Sequence, residues 1–399
     1  MVERVAEILS ELIRIESISA NSNLDLVAYI ERILASSGVS ARRVPAPDGH
    51  KASLLATIGP SDRSGVVLSA HTDVVPVDGQ AWTVPPFGGV TRDGRIYGRG
   101  ATDMKGFLAV VLAAVPQFVE TAQAAPVHLA FSYDEEVGCR GAPDLVQALM
   151  PSVAPPALAI VGEPTCMRVV RAHKGKVARR LIVTGRTGHS AMPHRAANAV
   201  DAAVAIGHAL RALADEEIAR GGDTAFDPPF TTIHVGSLHG GSAVNLVPER
   251  AVLEYEIRTI PGRDAGEILA RIDALVACVR DRLRACAAEA DIVSEEMSAY
   301  PGLDTSLDDA ATRLVARLAN DKQPATTVAF GTEAGLFDQA GIPTLVCGPG
   351  DMARGHKADE WIGFDELAAA SAMMNRLADL LHEPSEVWMQ EPEKMENSA

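Results

Sequence analysis

A chain of 399 residues, 47% of them hydrophobic and 22% charged, has the make-up of a globular protein with enough length for two or three domains. Its formal net charge of -16 repels polyanions, which argues against nucleic acid as a partner and against docking on an anionic membrane surface. No apolar run approaches the roughly 20 residues that a membrane-spanning helix requires.

Residues 1–15 space Val2, Val5, Ile8, Leu9, Leu12 and Ile13 at helical period with acids and arginines between them. This predicts an amphipathic helix rather than a cleaved leader, and hence a cytoplasmic protein. A second helical pattern covers 25–37 and closes at Gly38, and 53–58 reads as a strand. Val66-Val67-Leu68-Ser69-Ala70 is a continuous apolar strand of the kind buried on both faces of a parallel sheet. His71 follows at its C-terminal end, where open α/β sheets place their ligands.

Residues 78–94 read as loop and hairpin, and 106–120, apolar all round, as a helix covered by other elements. Strands are predicted at 127–133, ending in Asp134-Glu135-Glu136, and at 158–161, ending in Gly162-Glu163-Pro164. Composition changes near Arg179. From there strand 181–184, helix 198–214, strands 231–235 and 251–258, helix 266–285 and strand 291–297 follow in βαββαβ order. That order predicts a ferredoxin-like α+β unit at 179–297, inserted into a larger domain made of 1–178 and 298–399.

Helix 307–318, strands 326–330 and 344–347, and helix 365–381 complete the chain, and the Glu- and Pro-rich tail from Glu383 is predicted to be disordered. Cys139, Cys166, Cys278, Cys286 and Cys347 form no CxxC pair. They are read as buried or inert thiols, not as a zinc knuckle or a disulfide framework.

Asp103 lies in Gly98-Arg99-Gly100-Ala101-Thr102-Asp103-Met104-Lys105-Gly106. Alone, an Asp in such a loop reads as a turn former. Its company changes the reading: His71 and Asp73 upstream and Glu135, Glu136, Glu163 and His356 downstream each follow a short apolar run. Asp103 is therefore a candidate carboxylate shared between two metal ions. His71 and Asp73, two apart in extended chain, project to the same side, which places Asp73 to take the other ring N–H of His71. Neighbouring acids point apart, so Glu136 is read as a ligand and Glu135 as a base; a solvated acidic turn is the alternative. Two histidines and three carboxylates suit two divalent ions of borderline softness. A pair roughly 3.5–4 Å apart with a bridging carboxylate is a hydrolytic arrangement.

Taken together, these motifs resemble the dinuclear zinc aminoacylase and carboxypeptidase superfamily, metallopeptidase M20. The matching residues are Ser69-Ala70-His71-Thr72-Asp73-Val74-Val75-Pro76, the Gly98 to Gly106 loop, Asp134-Glu135-Glu136, Gly162-Glu163-Pro164-Thr165, Arg171-Ala172-His173-Lys174-Gly175, Gly188-His189-Ser190-Ala191, Phe330-Gly331-Thr332-Glu333-Ala334, and Gly348-Pro349-Gly350 followed by His356. They span nearly the full length.

The resemblance implies an α/β fold: a mixed, mostly parallel sheet with helices on both faces, as in zinc exopeptidases, plus the inserted ferredoxin-like lid. It implies two divalent ions, zinc or cobalt, one held by His71, Asp103 and Glu163 and the other by Asp103, Glu136 and His356. Glu135 becomes the general base, and a cis peptide follows Asp103. The substrate is a small N-acyl amino acid, and the lid is the surface of a homodimer. His189 is expected to reach a neighbouring subunit's site and stabilise the oxyanion, with His194 as competitor. Arg258 and Asn245 fit positions that hold the substrate carboxylate.

Thr332-Glu333-Ala334 resembles the branch that removes the acetyl group from N2-acetylornithine in arginine biosynthesis, with Glu333 meeting the side-chain ammonium. Desuccinylation of succinyl-diaminopimelate, whose enzymes carry a Ser-Asp pair there, and broader deacylation are the alternatives. A non-catalytic homologue would lack a ligand or the base, and here none is missing.

Overall fold

The structure, a computed structural model, describes residues 2–390. The chain forms two compact units, one of Met1–Ala172, Leu303–Thr327 and Thr332–Ala399 and the other of His173–Gly302 and Val328–Gly331.

The first unit is built on a nine-stranded sheet. Its order is Ala41–Pro45, Ala52–Ile58, Val127–Ser132, Val66–His71, Leu158–Val161, Thr344–Val346, Val170–His173 and Leu303–Asp304, with Thr326–Val328 beside Val170–His173. The four central strands, from Val127–Ser132 to Thr344–Val346, run parallel, and Ala41–Pro45, Ala52–Ile58 and Val170–His173 pair antiparallel with their neighbours. Every residue of Val66–His71, Val127–Ser132 and Leu158–Val161 is buried, as expected of parallel strands covered on both faces.

Alternate side chains, Val66, Leu68, Ala70, Leu129, Phe131 and Ile160 among them, join the main core with helices Val2–Arg14, Leu24–Ser36, Lys105–Thr121 and Phe364–Leu380. Helices Ala142–Leu149 and Ala334–Gln339 also pack on the sheet, and Ser69 and Ser132 contact the start of the latter through Glu333. The expected helix at 106–120 is present as Lys105–Thr121. Its first residue is fully buried, and Lys105 Nζ donates to Leu12 O and Ile15 O at 2.9 Å. This satisfies carbonyls at the end of the first helix that have no intrahelical partner.

Two glycines let the central strands end side by side. A Cβ at Gly162 would lie 2.0 Å from the buried Phe107 ring, and one at Gly348 would lie 2.1 Å from Gly162 O. Gly162 comes directly after one parallel strand and Gly348 two residues after its neighbour, so the backbones meet where any side chain would part them.

The second unit is a four-stranded antiparallel sheet in the order Thr232–Gly240, Arg250–Thr259, Gly175–Thr184 and Asp291–Tyr300. Helices Ala199–Arg220 and Ala265–Cys286 bury Ile206, Leu210, Ile268 and Ile272 with Leu181, Val183, Leu253 and Ile257 of the sheet. Asn198 and Asp264 cap the two helices by accepting backbone N–H bonds. This is the ferredoxin-like βαββαβ unit. A separate ribbon pairs Gly188–His189 with Leu246–Val247.

Several details differ from expectation. The inserted segment of the second unit starts at His173 instead of Arg179 and ends at Gly302 instead of Met297, and the unit also takes in Val328–Gly331. The strand Gly175–Thr184 runs unbroken through the change in composition, paired along its length with Arg250–Thr259. The tail is folded as far as it is described: Ser385–Trp388 is helical and Trp388 is 4% exposed. Trp388 Nε1 donates to Glu383 O, and Arg317 Nη2 donates to Trp388 O. The indole gives this polar segment an apolar face to bury; residues 391–399 lie outside the described residues. All five cysteines are free, but only Cys139 and Cys347 are buried. Among the described residues no helix is long and apolar enough to cross a membrane.

Gly162→Ala should force the Phe107 ring from its place and destabilise the first unit by about 1–3 kcal/mol, the usual cost of overpacking a filled core. Urea denaturation of the two proteins side by side measures it, and an unchanged midpoint would show that Phe107 yields freely.

Candidate metal centre

Parallel strands that end side by side bring the loops at their C-terminal ends into one place. His71 closes Val66–His71, Glu135 and Glu136 lie just beyond the neighbouring Val127–Ser132, and Glu163 lies just beyond Leu158–Val161 on the other side. Asp103 comes from the loop before helix Lys105–Thr121, and its peptide bond to Met104 is cis, as the resemblance implies. His356 comes from the loop after Met352–Arg354 and sits at φ 61°.

Asp103 is the centre of the cluster. Its Oδ1 lies 3.0 Å from His71 Nε2 and its Oδ2 lies 3.1 Å from His356 Nε2. Glu163 Oε1 lies 3.8 Å from His71 Nε2, and Glu136 Oε2 lies 3.0 Å from His356 Nε2. Each oxygen of one buried carboxylate thus faces a different imidazole, and each imidazole has a further carboxylate of its own. Ligand atoms of His71, Asp103 and Glu136, and likewise of His71, Glu135 and Glu163, lie within 4.8 Å of one another.

Asp73 holds the cluster in a way that differs from expectation. His71 Nδ1 donates to the backbone carbonyl of Asp73 at 2.9 Å, while the Asp73 carboxylate stands 3.6 Å away. Burial opposes charge on this ring, but the hydrogen bond to Asp103 and the carboxylates around it raise His71 well above the usual imidazole range, so Nε2 also holds a proton until an ion displaces it. With Nδ1 donating to the main chain, loss of that proton turns the Nε2 lone pair toward Asp103 and Glu163, the tautomer that a metal ligand needs. The Asp73 carboxylate instead accepts the backbone N–H groups of Glu135 at 3.0 Å and Glu136 at 3.3 Å and the hydroxyl of Ser19 at 2.6 Å. Asp134 takes no part in the cluster; its carboxylate accepts two bonds from Lys51 Nζ, at 2.6 and 2.8 Å.

Concentrating this much negative charge out of water is unfavourable. Burial, joined by the neighbouring carboxylates and opposed by His71, raises Glu135 and Glu163 well above the carboxylate range. Glu136 is pushed up to about 7, first by burial and then by Asp103. Asp103 goes the other way: burial raises it, but the hydrogen bonds from His356 and His71 outweigh burial and hold it low. His356 is raised to about 10, chiefly by its hydrogen bonds to Asp103 and Glu136. Glu163 Oε1 is buried without a hydrogen-bond donor. An orphaned carboxylate oxygen in a nest of acids and imidazoles fits divalent cations, which would neutralise the charge and take up the free lone pairs.

The other predicted site residues lie elsewhere. Glu333, expected to meet a substrate ammonium, is fully buried, and its two oxygens accept the hydroxyls of Ser69 and Ser132 at 2.5 Å each. Enclosed behind the strand that carries His71, it supports the sheet end and cannot receive a substrate side chain. Thr332 is 1% exposed and its hydroxyl accepts the Ala334 N–H at the start of a helix.

His189, Asn245 and Arg258 belong to the inserted unit. His189 and Asn245 are neighbours there, since Ser190 N donates to Asn245 O at 3.1 Å. His189 is exposed and its Nδ1 accepts the Ala191 N–H at 3.1 Å, so the neutral ring carries its proton on Nε2. His194, also exposed, lies in the short 3-10 turn Pro193–Arg195. Arg258 is half-buried, and its Nε donates to Glu256 at 2.9 Å.

Sequence reasoning missed Glu360. It is 1% exposed; one oxygen accepts the backbone N–H groups of Thr102 at 2.9 Å and Asp103 at 3.1 Å, and the other accepts Arg99 Nη1 at 2.6 Å. Its only signal was an acid a few residues beyond His356, which spacing alone does not separate from a solvated pair with Asp359.

Binding of a divalent ion must displace the protons of Glu136 and His356, so affinity should rise with pH. Because the Glu136 carboxyl titrates near 7, Zn²⁺ or Co²⁺ should bind about tenfold or more tightly at pH 8 than at pH 6, with release of protons. Calorimetry in buffers of different ionisation enthalpy measures both quantities. Affinity that does not change with pH would remove these two residues from the ligand set.

Residues 67–380 match the model of peptidase family M20/M25/M40. The chain is 34% identical over 377 residues to an acetylornithine deacetylase of Myxococcus xanthus, covering 92% of this chain and 95% of that one. Among solved structures, an M20 family metallo-carboxypeptidase of Sulfolobus solfataricus superposes with a TM-score of 0.77 at 18% identity, covering 94% of this chain and 98% of that one. A dinuclear metal-binding M20 peptidase of Bacillus subtilis superposes with a TM-score of 0.63 at 17% identity, covering 94% and 97%. The chain belongs to peptidase family M20/M25/M40 and is a metal-dependent hydrolase.

Proposed function

We propose that this hydrolase removes the acetyl group from N2-acetyl-L-ornithine, giving ornithine and acetate for arginine biosynthesis in the cytoplasm. The observation that carries the hydrolytic part is Asp103, whose two oxygens face His71 and His356 with Glu135 alongside. The substrate rests on the 34% identity, over most of both chains, to a protein called acetylornithine deacetylase.

In this reading His71, Asp103 and Glu163 hold one ion, and Asp103, Glu136 and His356 hold the other, both zinc or cobalt. When bound, the ions supply Lewis-acid polarisation of the amide carbonyl and of water. Glu135 takes the proton of the attacking water and returns it to the leaving amine. Its placement follows from Asp73, which holds the Glu135 backbone N–H. His189 offers Nε2–H to the oxyanion from a partner subunit. Arg258 and Asn245 receive the substrate's α-carboxylate, with Glu256 keeping the guanidinium oriented until it arrives. With Glu333 enclosed, selection of the ornithine side chain falls to other groups.

The partner subunit is proposed to join through the inserted unit. Its edge strand Thr232–Gly240 pairs on one side alone among the described residues, and Leu238 on that strand and Val204 on the adjacent helix are 41% and 51% exposed. An open edge with apolar side chains beside it suits pairing with a second copy.

The purified protein, loaded with Zn²⁺ or Co²⁺, should show its highest kcat/KM on N2-acetyl-L-ornithine among that compound, N-acetyl-L-methionine and N-succinyl-diaminopimelate. Faster turnover of the succinyl compound would overturn the substrate. Glu135→Gln should lose about 10²–10⁴ in kcat while still binding two ions; near-normal turnover would reject Glu135 as the base. Mixing His189→Ala with Glu135→Gln, each inactive alone, should restore part of the activity once subunits exchange. No recovery despite demonstrated exchange would point to a site completed within one chain, or to His194.

A further inference from the structure

We infer that Arg99 is a positioning residue of the metal centre: with Gln80 and Glu360 it ties the loop that carries Asp103 to the loop that carries His356, and so sets the site of one ion more than the other. The inference rests on the dinuclear reading proposed above.

Arg99 is 1% exposed and bonded at both ends of its guanidinium. Nη1 donates to Glu360 at 2.6 Å, and the other Glu360 oxygen accepts the backbone N–H groups of Thr102 and Asp103. Nη2 donates to Gln80 Oε1 at 2.7 Å, and Gln80 Nε2 donates to the backbone carbonyl of His356 at 2.8 Å. A continuous chain of hydrogen bonds therefore runs from the Asp103 amide to the His356 carbonyl. Trp82 fixes the orientation of the Gln80 amide by donating Nε1 to Gln80 Oε1 at 3.0 Å, and its ring lies 5.3 Å from the Arg99 guanidinium.

The two ion sites differ in how much they need this chain. His71 is itself a ladder residue of the central sheet, paired with Ser132, and Glu163 follows two residues after a strand whose ladder runs to Val161. His356 sits on a loop at φ 61°, a left-handed conformation that a non-glycine residue keeps only when its surroundings hold it. The Gln80 bond to its carbonyl is such a hold. The ion between Asp103, Glu136 and His356 therefore depends on Arg99, and the ion between His71, Asp103 and Glu163 much less. Lysine cannot replace Arg99, because one ammonium does not span Glu360 and Gln80 as a planar fork does.

Metal-free protein titrated with Co²⁺, followed by visible absorption and calorimetry, tests this without reference to substrate. Wild type should show two binding steps. In Gln80→Leu and in Arg99→Lys one step should weaken by about 10–100-fold, the usual effect of losing a group that supports a ligand, with the other step unchanged. Gln80 is only partly buried, so Gln80→Leu should also keep the melting temperature of the metal-free protein, and it serves if Arg99→Lys fails to fold. Two unchanged steps, or two steps weakened alike together with a lower metal-free melting temperature, would overturn the inference. Fewer than two steps in wild type would instead overturn the dinuclear reading, and this inference with it.

Discussion

The repulsion between carboxylates gathered out of water where the central parallel strands end is the constraint to which the rest of the first unit answers. Asp103, Glu135, Glu136 and Glu163 share a space too small and too dry for four negative charges. Part of the balance comes from the protein itself, through His71 and His356 on either side of Asp103 and through Lys51, which takes Asp134 out of the crowd. The remainder is the driving force for cations. A site that is electrostatically costly when empty is one that binds divalent ions tightly, and it is the bound cations that would then lower the cost of forming hydroxide from water.

Such a cluster holds its shape only because the backbone beneath it cannot give way. The central strands are buried on both faces, and Gly162 and Gly348 bring two of their ends into direct main-chain contact. Glu333 adds a carboxylate of a different kind. With both oxygens engaged by Ser69 and Ser132, it joins the start of helix Ala334–Gln339 to two neighbouring strands, one of which ends in His71. A buried acid with satisfied oxygens is a structural strut, whereas Glu163, with an oxygen left unsatisfied, is a ligand in waiting.

The features that could be read from the sequence were those in which one short segment carries the whole signal. An apolar strand followed by His or Glu announces both its burial and its cargo, and so His71, Glu136 and Glu163 could be placed from the chain alone. The βαββαβ order of the inserted unit emerged in the same way, from local periodicity. What could not be read depended on partners distant in the chain. Glu333 looks like a site residue from its motif and is a strut because Ser69 and Ser132 meet it. Glu360 looks like a surface acid and is buried because Arg99 lies beneath it. The boundary at His173 was hidden because the pairing of Gly175–Thr184, not its composition, defines the strand, and a single indole, Trp388, buries itself in residues 383–390, the described part of a tail whose composition reads as disordered.

Asp73 bears on how substitutions in this centre are to be interpreted. The bond that settles the tautomer of His71 is made to the main-chain carbonyl of residue 73, which every amino acid possesses. Replacing the side chain leaves that bond in place and releases instead the amides of Glu135 and Glu136. An alanine at 73 is therefore a probe of where the base and its neighbouring ligand stand, and a loss of activity there is no sign that the tautomer of the histidine two residues before it has changed.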